Sequence, residues 1–208
     1  MSQTYDLESG LEELGFGDST DLAKRMMAFV EDLKKWNKVY NLTAIRKTED
    51  IVVQHLLDSL SISPYLEAQS VIDVGTGGGF PGIPLAMVHE QTRFALLDSN
   101  VKKTRFLQQM VINHQLQNCE VLHTRAESFI GTFDAVVCRA FASLPDIVGY
   151  AGHLVAPGGK LLAMKGQLGD EVDLLDESNT ELKVENIVTL SVPGLEAQRH
   201  LVVLGRQK

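Results

Sequence analysis

Two acids and a run of glycines stand where this chain could hold a nucleotide. Val71-Ile-Asp-Val-Gly-Thr-Gly-Gly-Gly-Phe-Pro-Gly82 begins as an apolar run carrying one acid, Asp73, and breaks into Gly75, Gly77 and Gly79. Such a run reads as a buried parallel strand, and glycines at its carboxyl end let a ligand come close to the backbone. Arg93-Phe-Ala-Leu-Leu97 reads as the next strand and ends in Asp98. An acid about 20 residues beyond a glycine loop, at the tip of the second strand, can bind both hydroxyls of a ribose, and Asp98 lies slightly later than that. Asp98 has a competing use as a helix N-cap, but Ser99 and Asn100 can cap the next helix equally well. The dinucleotide fingerprint G-x-G-x-x-G/A fails, because bulky Phe80 takes the third position. The P-loop fails too, because Pro81-Gly82 stands where Lys-Ser/Thr is needed. On the loop alone, a glycine-rich turn in an unrelated α/β protein remains the alternative.

What survives these exclusions resembles motif I of class I S-adenosylmethionine-dependent methyltransferases. In that family the acid before the glycines faces the methionine end of the cofactor, and Asp73 matches it; the glycines make room for a cofactor without a pyrophosphate. On this resemblance, Thr124-Arg125-Ala126-Glu127 follows the third strand, where the adenine would lie. Backbone at Ala126 could meet the adenine, and Glu127 could accept from its amino group or cap the next turn. Cys138-Arg139-Ala-Phe-Ala-Ser-Leu144 follows the fourth strand, where such enzymes hold the target base. Amino-group methyltransferases carry Asn/Asp-Pro-Pro-Tyr/Phe here, and this chain does not. Cytosine C5 enzymes need a cysteine in a Pro-Cys context, which Cys138 lacks, so it reads as a buried strand residue. Arg139 stands instead. It could form a surface ion pair, but an arginine ending a buried strand beside the crevice argues more for function.

These residues need a scaffold, and the pattern supplies one. To about Leu66 the chain reads as helical, with Ser19 as N-cap and Leu22, Met26, Phe29, Val30, Leu33 and Trp36 at helical spacing. A second helix carries Ile51, Val52, Leu56, Leu57 and Leu60 and ends at Pro64. Between them, Trp36-Asn-Lys-Val-Tyr-Asn-Leu-Thr43 reads as a helix end packed by Trp36 and Tyr40. The alternative is an edge where aromatics beside bases stack on unpaired nucleotides. From Ser70 strands and helices alternate, which implies a parallel sheet. The strands fall at 70–74, 93–97, 119–123, 133–138 and 159–164, with a helix at 99–116. Pro157-Gly-Gly159 reads as a tight turn before the fifth strand. After an acidic helix come 183–191 and 199–204, joined through Pro193-Gly194 as a hairpin. The expected fold is α/β, a Rossmann-like seven-stranded sheet whose last strands form an antiparallel hairpin. Residues 1–66 would be a helical extension packed on a core of 67–208.

The 208 residues fit one large domain, and 44% hydrophobic content suffices for a real core. The polar, acidic start is no signal peptide, no apolar run has membrane-spanning length, and Cys119 and Cys138 lack metal or disulfide spacing. His114 reads as a packed residue. A soluble cytoplasmic protein is expected. The net charge of −8 argues at first against a nucleic-acid substrate. Its distribution weakens that argument. Residues 1–33 hold eight acids and two bases, and 167–186 hold seven acids and one base, so the remainder is net basic. Basic clusters stand at Lys34, Lys35 and Lys38, at Arg46 and Lys47, and at Lys102, Lys103 and Arg105. Each could equally be a solvated helix face.

The motifs in order carry a closer likeness. Trp36-Asn37 with Tyr40-Asn-Leu-Thr43, His55 with Asp58-Ser59, Asp73 through Pro84, Leu97-Asp-Ser99 with Lys102-Lys103 and Phe106-Leu107, Arg125-Ala-Glu127, Arg139-Ala-Phe-Ala142, Lys165-Gly166 and Arg199-His200 resemble the small-subunit ribosomal RNA methyltransferase G family, also called glucose-inhibited division protein B. The likeness runs from about Phe29 to the end. It implies methylation of guanine N7 in the decoding-region (530) loop of 16S RNA, with S-adenosylmethionine as donor. The implied partner is 16S RNA or the small-subunit particle, with no membrane, no metal and a monomeric enzyme. Carried over, Gly75, Phe80, Ala126, Glu127 and Arg139 resemble cofactor contacts, joined by Asp73, Gly77 and Asp98 from the residue reading. Phe80 replaces a leucine of some members, and Gly78 stands where others carry proline. Guanine N7 has a free lone pair and needs no general base. Arg139 and Arg125, the expected catalytic residues, would orient cofactor or base, while Lys34–Lys38 and Lys102–Arg105 would hold the RNA backbone. The competing readings are a methyltransferase for a small molecule or protein, favoured by the acidic charge, and a cofactor-binding regulator without chemistry.

Overall fold

In the structure, a computed structural model, residues 6–139, 142–176 and 180–207 are described; Ala140 and Phe141, within the Arg139–Ala142 motif, lie outside them. Seven strands form one sheet: β1 Ser70–Val74, β2 Arg93–Asp98, β3 Cys119–His123, β4 Phe133–Arg139, β5 Val155–Lys165, β6 Leu182–Thr189 and β7 His200–Arg206. Their order is β3-β2-β1-β4-β5-β7-β6. The first five are parallel, and β7 runs antiparallel between β5 and β6. The expected seven-stranded sheet with a terminal hairpin is therefore present. Chain order reverses at β1, which has β2 on one side and β4 on the other, so the crevice at this switch point opens beyond the carboxyl ends of these strands.

Strand alternation divides the core into two layers. Val71 of β1 joins Phe94 and Leu96 of β2 beneath α2 (Thr20–Tyr40), α5 (Gly82–Val88) and α6 (Val101–Asn113). Ile72 and Val74 point to the other face, with Val136, under Leu144 and Ile147 of α7 (Leu144–Ala151). The amino-terminal helices, α1 (Leu7–Glu13) included, share the first layer. Phe29 of α2 lies 5.6 Å from Phe80 and 6.4 Å from Phe106, ring centre to ring centre. His114 packs edge-on to Phe29, as a structural residue should.

Two local readings change. Pro157-Gly158-Gly159 does not precede the fifth strand but lies inside β5. The pairing moves from Phe133 opposite Val155 to Ala135 opposite Lys160, so the Pro-Gly-Gly segment is an irregularity within a longer strand. The second helix is also not uniform. It runs from α3 (Thr48–Ile51) through a π-helical segment (Val52–Leu57) into α4 (Asp58–Leu60). π segments are often found at functional sites, and this one carries His55.

The Trp36–Thr43 region is a helix end. Trp36 and Tyr40 stack on each other at 5.3 Å, and Trp36 turns toward Phe106 at 5.8 Å. The buried Asn37 side chain donates to the Thr43 carbonyl at 2.9 Å and accepts from the Thr43 amide at 3.0 Å. Both hydrogen bonds of one amide fix the turn after α2, which places Leu42 and Thr43 on a cavity wall.

Candidate active site

Two cavities open beyond the parallel strand ends, and both are bounded by Gly75. The smaller, about 300 Å³, lies between the ends of β2 and β3 and is walled by Asp98, Lys103, Arg125, Ala126, Glu127 and Tyr150. The larger, about 520 Å³, lies over the ends of β1 and β4, with Gly77, Phe80, His55, Asp58, Arg139 and Arg199 on its wall.

The glycine loop joins them. Gly75, Gly77 and Gly79 have φ of 71°, 59° and 90°, a region where a side chain is strained. This conformation lets Gly77 N–H donate to Asp98 Oδ2 at 3.1 Å, while Asp98 Oδ1 accepts from Asn100 N–H at 2.8 Å. The cap of α6 is Asn100, whose side chain accepts from Lys102 N–H at 2.9 Å. Asp98 is thus not needed as the cap, and its carboxylate sits on the wall of the smaller cavity with Lys103 Nζ 3.5 Å away.

Asp73 takes a different place from its predicted companions. It is fully buried beneath the loop and lines neither cavity. Its Oδ2 accepts from Gly82 N–H at 2.8 Å. Thr76 lies beside the carboxyl and lowers its pKa, yet Thr76 Oγ1 and Asp73 Oδ1 close no well-formed hydrogen bond with any described partner. Burial dominates and pushes the Asp73 pKa up to about 6. An acid held above its unfolded value of 3.8 takes up a proton on folding, so it lowers stability as pH rises from about 4 to about 6. The effect amounts to about 3 kcal/mol. The stability advantage of the wild type over Asp73→Asn is therefore expected to shrink by that amount between pH 4 and about 6.5 in urea unfolding. Parallel pH curves would refute it.

The larger cavity is built on Asp58, an acid whose role no sequence motif announces. The Asp58 carboxylate is buried and takes two arginines, one on each oxygen. Arg139 Nη1 donates to Oδ2 at 3.0 Å, and Arg199 Nε donates to Oδ1 at 3.0 Å. Arg139 also donates from Nη1 to the Gln54 carbonyl at 2.9 Å, and its Nη2 lies 3.0 Å from His55 Nδ1. His55 Nδ1 lies between that guanidinium and the Gln54 carbonyl, 3.1 Å away, and its Nε2 lies 2.7 Å from Thr43 Oγ1, so both ring nitrogens are engaged. Burial, followed by the charge of Arg139, drives the His55 pKa down to about 3, so the ring is neutral at physiological pH. The His55 ring stacks on Phe80 at 4.5 Å and 23°, and the Arg139 guanidinium lies 5.3 Å from the Phe80 ring centre.

The structure brings together Gly75, Gly77, Phe80 and Arg139 in one cavity and Asp98, Ala126, Glu127 and Arg125 in the other. Arg125 does not meet Arg139. It precedes the short turn Ala126–Ser128 on the far side of Gly75. Arg139 does form an ion pair, but a largely buried one, not a surface pair. Cys138 is wholly buried, and burial pushes its thiol up to about 12, so it offers no nucleophile. Lys165 also faces the larger cavity, with Glu171 at 2.8 Å and the Ala142 carbonyl at 2.7 Å. Among the described residues, no group of three or more His, Cys, Asp or Glu is placed to hold a metal ion. No described helix is long and apolar enough to cross a membrane.

An acid at the tip of β2, glycine backbone at the tip of β1 and a cavity on either side of it suit a ligand with a ribose in its middle. Comparison with known proteins agrees. Solved structures of similar fold include a SAM-dependent methyltransferase from Aquifex aeolicus (TM-score 0.58, 17% identity, 83% of this chain and 97% of that one). An O-methyltransferase from Bacillus cereus in complex with SAH is alike to the same degree (TM-score 0.58, 15% identity, 86% and 91%). At these identities the likeness shows the fold. Sequence likeness goes further. The family model described as rRNA small subunit methyltransferase G matches residues 22–202, which begins earlier than the motifs suggest. Proteins named ribosomal RNA small subunit methyltransferase G are 44% identical in Neisseria meningitidis serogroup C, over the full length of both chains. The one from Pseudomonas aeruginosa is 46% identical over 97% of this chain and 94% of the relative. By family match and by these relatives, the chain belongs to the rRNA small subunit methyltransferase G family.

Proposed function

We propose that the protein transfers the methyl group of S-adenosylmethionine to N7 of a guanine in the decoding-region (530) loop of 16S ribosomal RNA. The observation that carries this reading is the paired cavity meeting at Gly75. The smaller half suits the adenosine end: Asp98 would hold the ribose hydroxyls, and Ala126 and Glu127 the adenine. The larger half suits the methionine end and the acceptor base, with Phe80 and Arg139 on its wall. Asp73 acts from beneath by fixing the loop through Gly82. When bound, the donor supplies a methyl group on a sulfonium, which makes it electrophilic.

The chain's own residues supply position and environment. Guanine N7 is an acceptor with a free lone pair, so no side chain has to remove a proton. This fits a cavity whose histidine is neutral and already engaged and whose wall carries no cysteine among the described residues. Arg139 is locked by Asp58, Gln54 and His55 in a single pose. Catalysis rests on orientation and a fixed polar field, terms that commonly carry large factors. N7 lies in the narrow major groove of A-form RNA, so the target has to be presented from a loop or flipped out. We read the enzyme as a metal-free cytoplasmic monomer, with residues 1–66 as a helical extension of the 67–208 core.

The RNA-binding surface is narrower than the basic clusters suggest. Lys34 is held by Glu31 at 3.2 Å and Thr48 at 2.7 Å, and Lys35 by Asp32 at 2.9 Å. Among the described residues, the exposed Lys38, Lys102 and Arg105 have no acidic partner. Replacing Lys102 and Arg105 by glutamine is expected to reduce the slope of log affinity against log salt by about 1–2. An unchanged slope in filter binding to 16S RNA would remove them from the interface. The function itself is tested by incubating the purified protein with labelled donor and either deproteinised 16S RNA or small-subunit particles. Label in N7-methylguanine supports the reading, and label only in protein or small molecules contradicts it.

A further inference from the structure

The larger cavity has a charge problem that one residue solves. Arg139 and Arg199 both face it, and they share a single carboxylate, Asp58. Lys165, on the same wall, has its own acid in Glu171. Asp58 is therefore the counter-ion for two guanidinia at once. Its removal would leave two cations side by side in a recess where water screens poorly. The ligand proposed for this cavity is itself a cation, and so is an N7-methylated guanine. The neighbours fix the arrangement: Arg139 is held by the Gln54 carbonyl and His55, and Arg199 Nη1 by the Gln198 carbonyl at 3.0 Å. Neither charge can swing away from the cavity without breaking these bonds.

We propose that Asp58 is a positioning residue that sets the charge of the methyl-transfer cavity: it fixes Arg139 and Arg199 and cancels one of their two charges, so that a sulfonium is admitted. This inference rests on the reading of the cavity as the donor site. It separates Asp58 from a merely structural acid, because it predicts a charge-selective effect. S-adenosylmethionine and S-adenosylhomocysteine differ by one methyl and one positive charge. Loss of packing should weaken both alike, whereas loss of charge balance should weaken the cation more.

The test is calorimetric titration of wild type, Asp58→Asn and Arg199→Gln with each of the two ligands. Asp58→Asn keeps the shape and one oxygen. It is expected to shift the affinity ratio by about tenfold against S-adenosylmethionine. Arg199→Gln leaves Asp58 with one guanidinium and is expected to move the ratio the other way. Equal losses for both ligands in Asp58→Asn, or a shift of the same sign in the two variants, would overturn the inference. If Asp58→Asn does not fold, Arg199→Gln decides by the sign of its own shift. If the wild type binds neither ligand, the donor-site reading falls first, and the inference with it.

Discussion

Replacing Arg139 with alanine is expected to lower methyl transfer to 16S RNA by about 10²–10³-fold, the range typical of losing one preorganised electrostatic contact. Arg139 ends β4 and touches Asp58, the Gln54 carbonyl, His55 and the Phe80 face together. Its removal releases His55 from a bond to Nδ1 and leaves Asp58 with Arg199 alone. The His55–Phe80 stack then loses one side of its support. The rate should fall even in single turnover with enzyme in excess, because the loss is in orientation and not in encounter. Arg139→Lys should recover only part of the rate, since an ammonium cannot reach Asp58, a carbonyl and an imidazole from one planar group. Full turnover with unchanged cofactor affinity in Arg139→Ala would show that the arginine is a structural tie.

Gly82→Ala is expected to cost about 2–3 kcal/mol of stability, since overpacking of a tight core site carries penalties of this order. A Cβ at Gly82 would stand 2.4 Å from Leu96 Cδ2, 2.7 Å from Asp73 Oδ2 and 3.0 Å from Asp73 Cβ. Both side chains are fully buried, so neither can turn aside without disturbing the packing around it. The amide of Gly82 is also the donor that holds Asp73. Pushing α5 away would lengthen that bond and leave a buried carboxyl still poorer in partners. For a domain of this size the melting temperature should fall by roughly 5–10 °C. Cofactor affinity should fall with it, since the loop between Asp73 and Gly82 forms the floor between the cavities. Unaltered melting would mean that the strand–helix contact is looser than described. The contrast is Gly78, whose added Cβ would meet nothing nearer than 3.5 Å. It has room for a side chain.

The sequence made half of this site legible for a physical reason. Buried parallel strands are apolar runs that end abruptly, so Asp98 and Arg139 stood out as polar residues at their tips. The glycine loop was equally open, since positive φ and close approach both select glycine. The partners of Arg139 were not legible, because nothing local ties them together. Asp58 is 81 residues from Arg139 and 141 from Arg199, and a buried ion pair leaves no spacing to read. The π-helical segment that delivers His55 resembles an ordinary helix in its apolar pattern. Asp73 was recognised, but its depth beneath the loop depended on the packing of Gly82. The acids beside two of the clustered lysines were legible as well. Glu31 with Lys34 and Asp32 with Lys35 are three apart on α2, a spacing that lets charges meet on a helix surface.

Guanine N7 of 16S RNA is the acceptor we propose. Mapping N7-methylguanine in 16S RNA from cells with and without this protein puts that acceptor to the test. One guanine of the decoding-region loop should lose its N7 methyl when the protein is absent. The wild-type chain should restore it, and the Arg139→Ala chain should not. An unchanged N7-methylguanine pattern, or a methyl lost only from another atom or another molecule, would contradict the account.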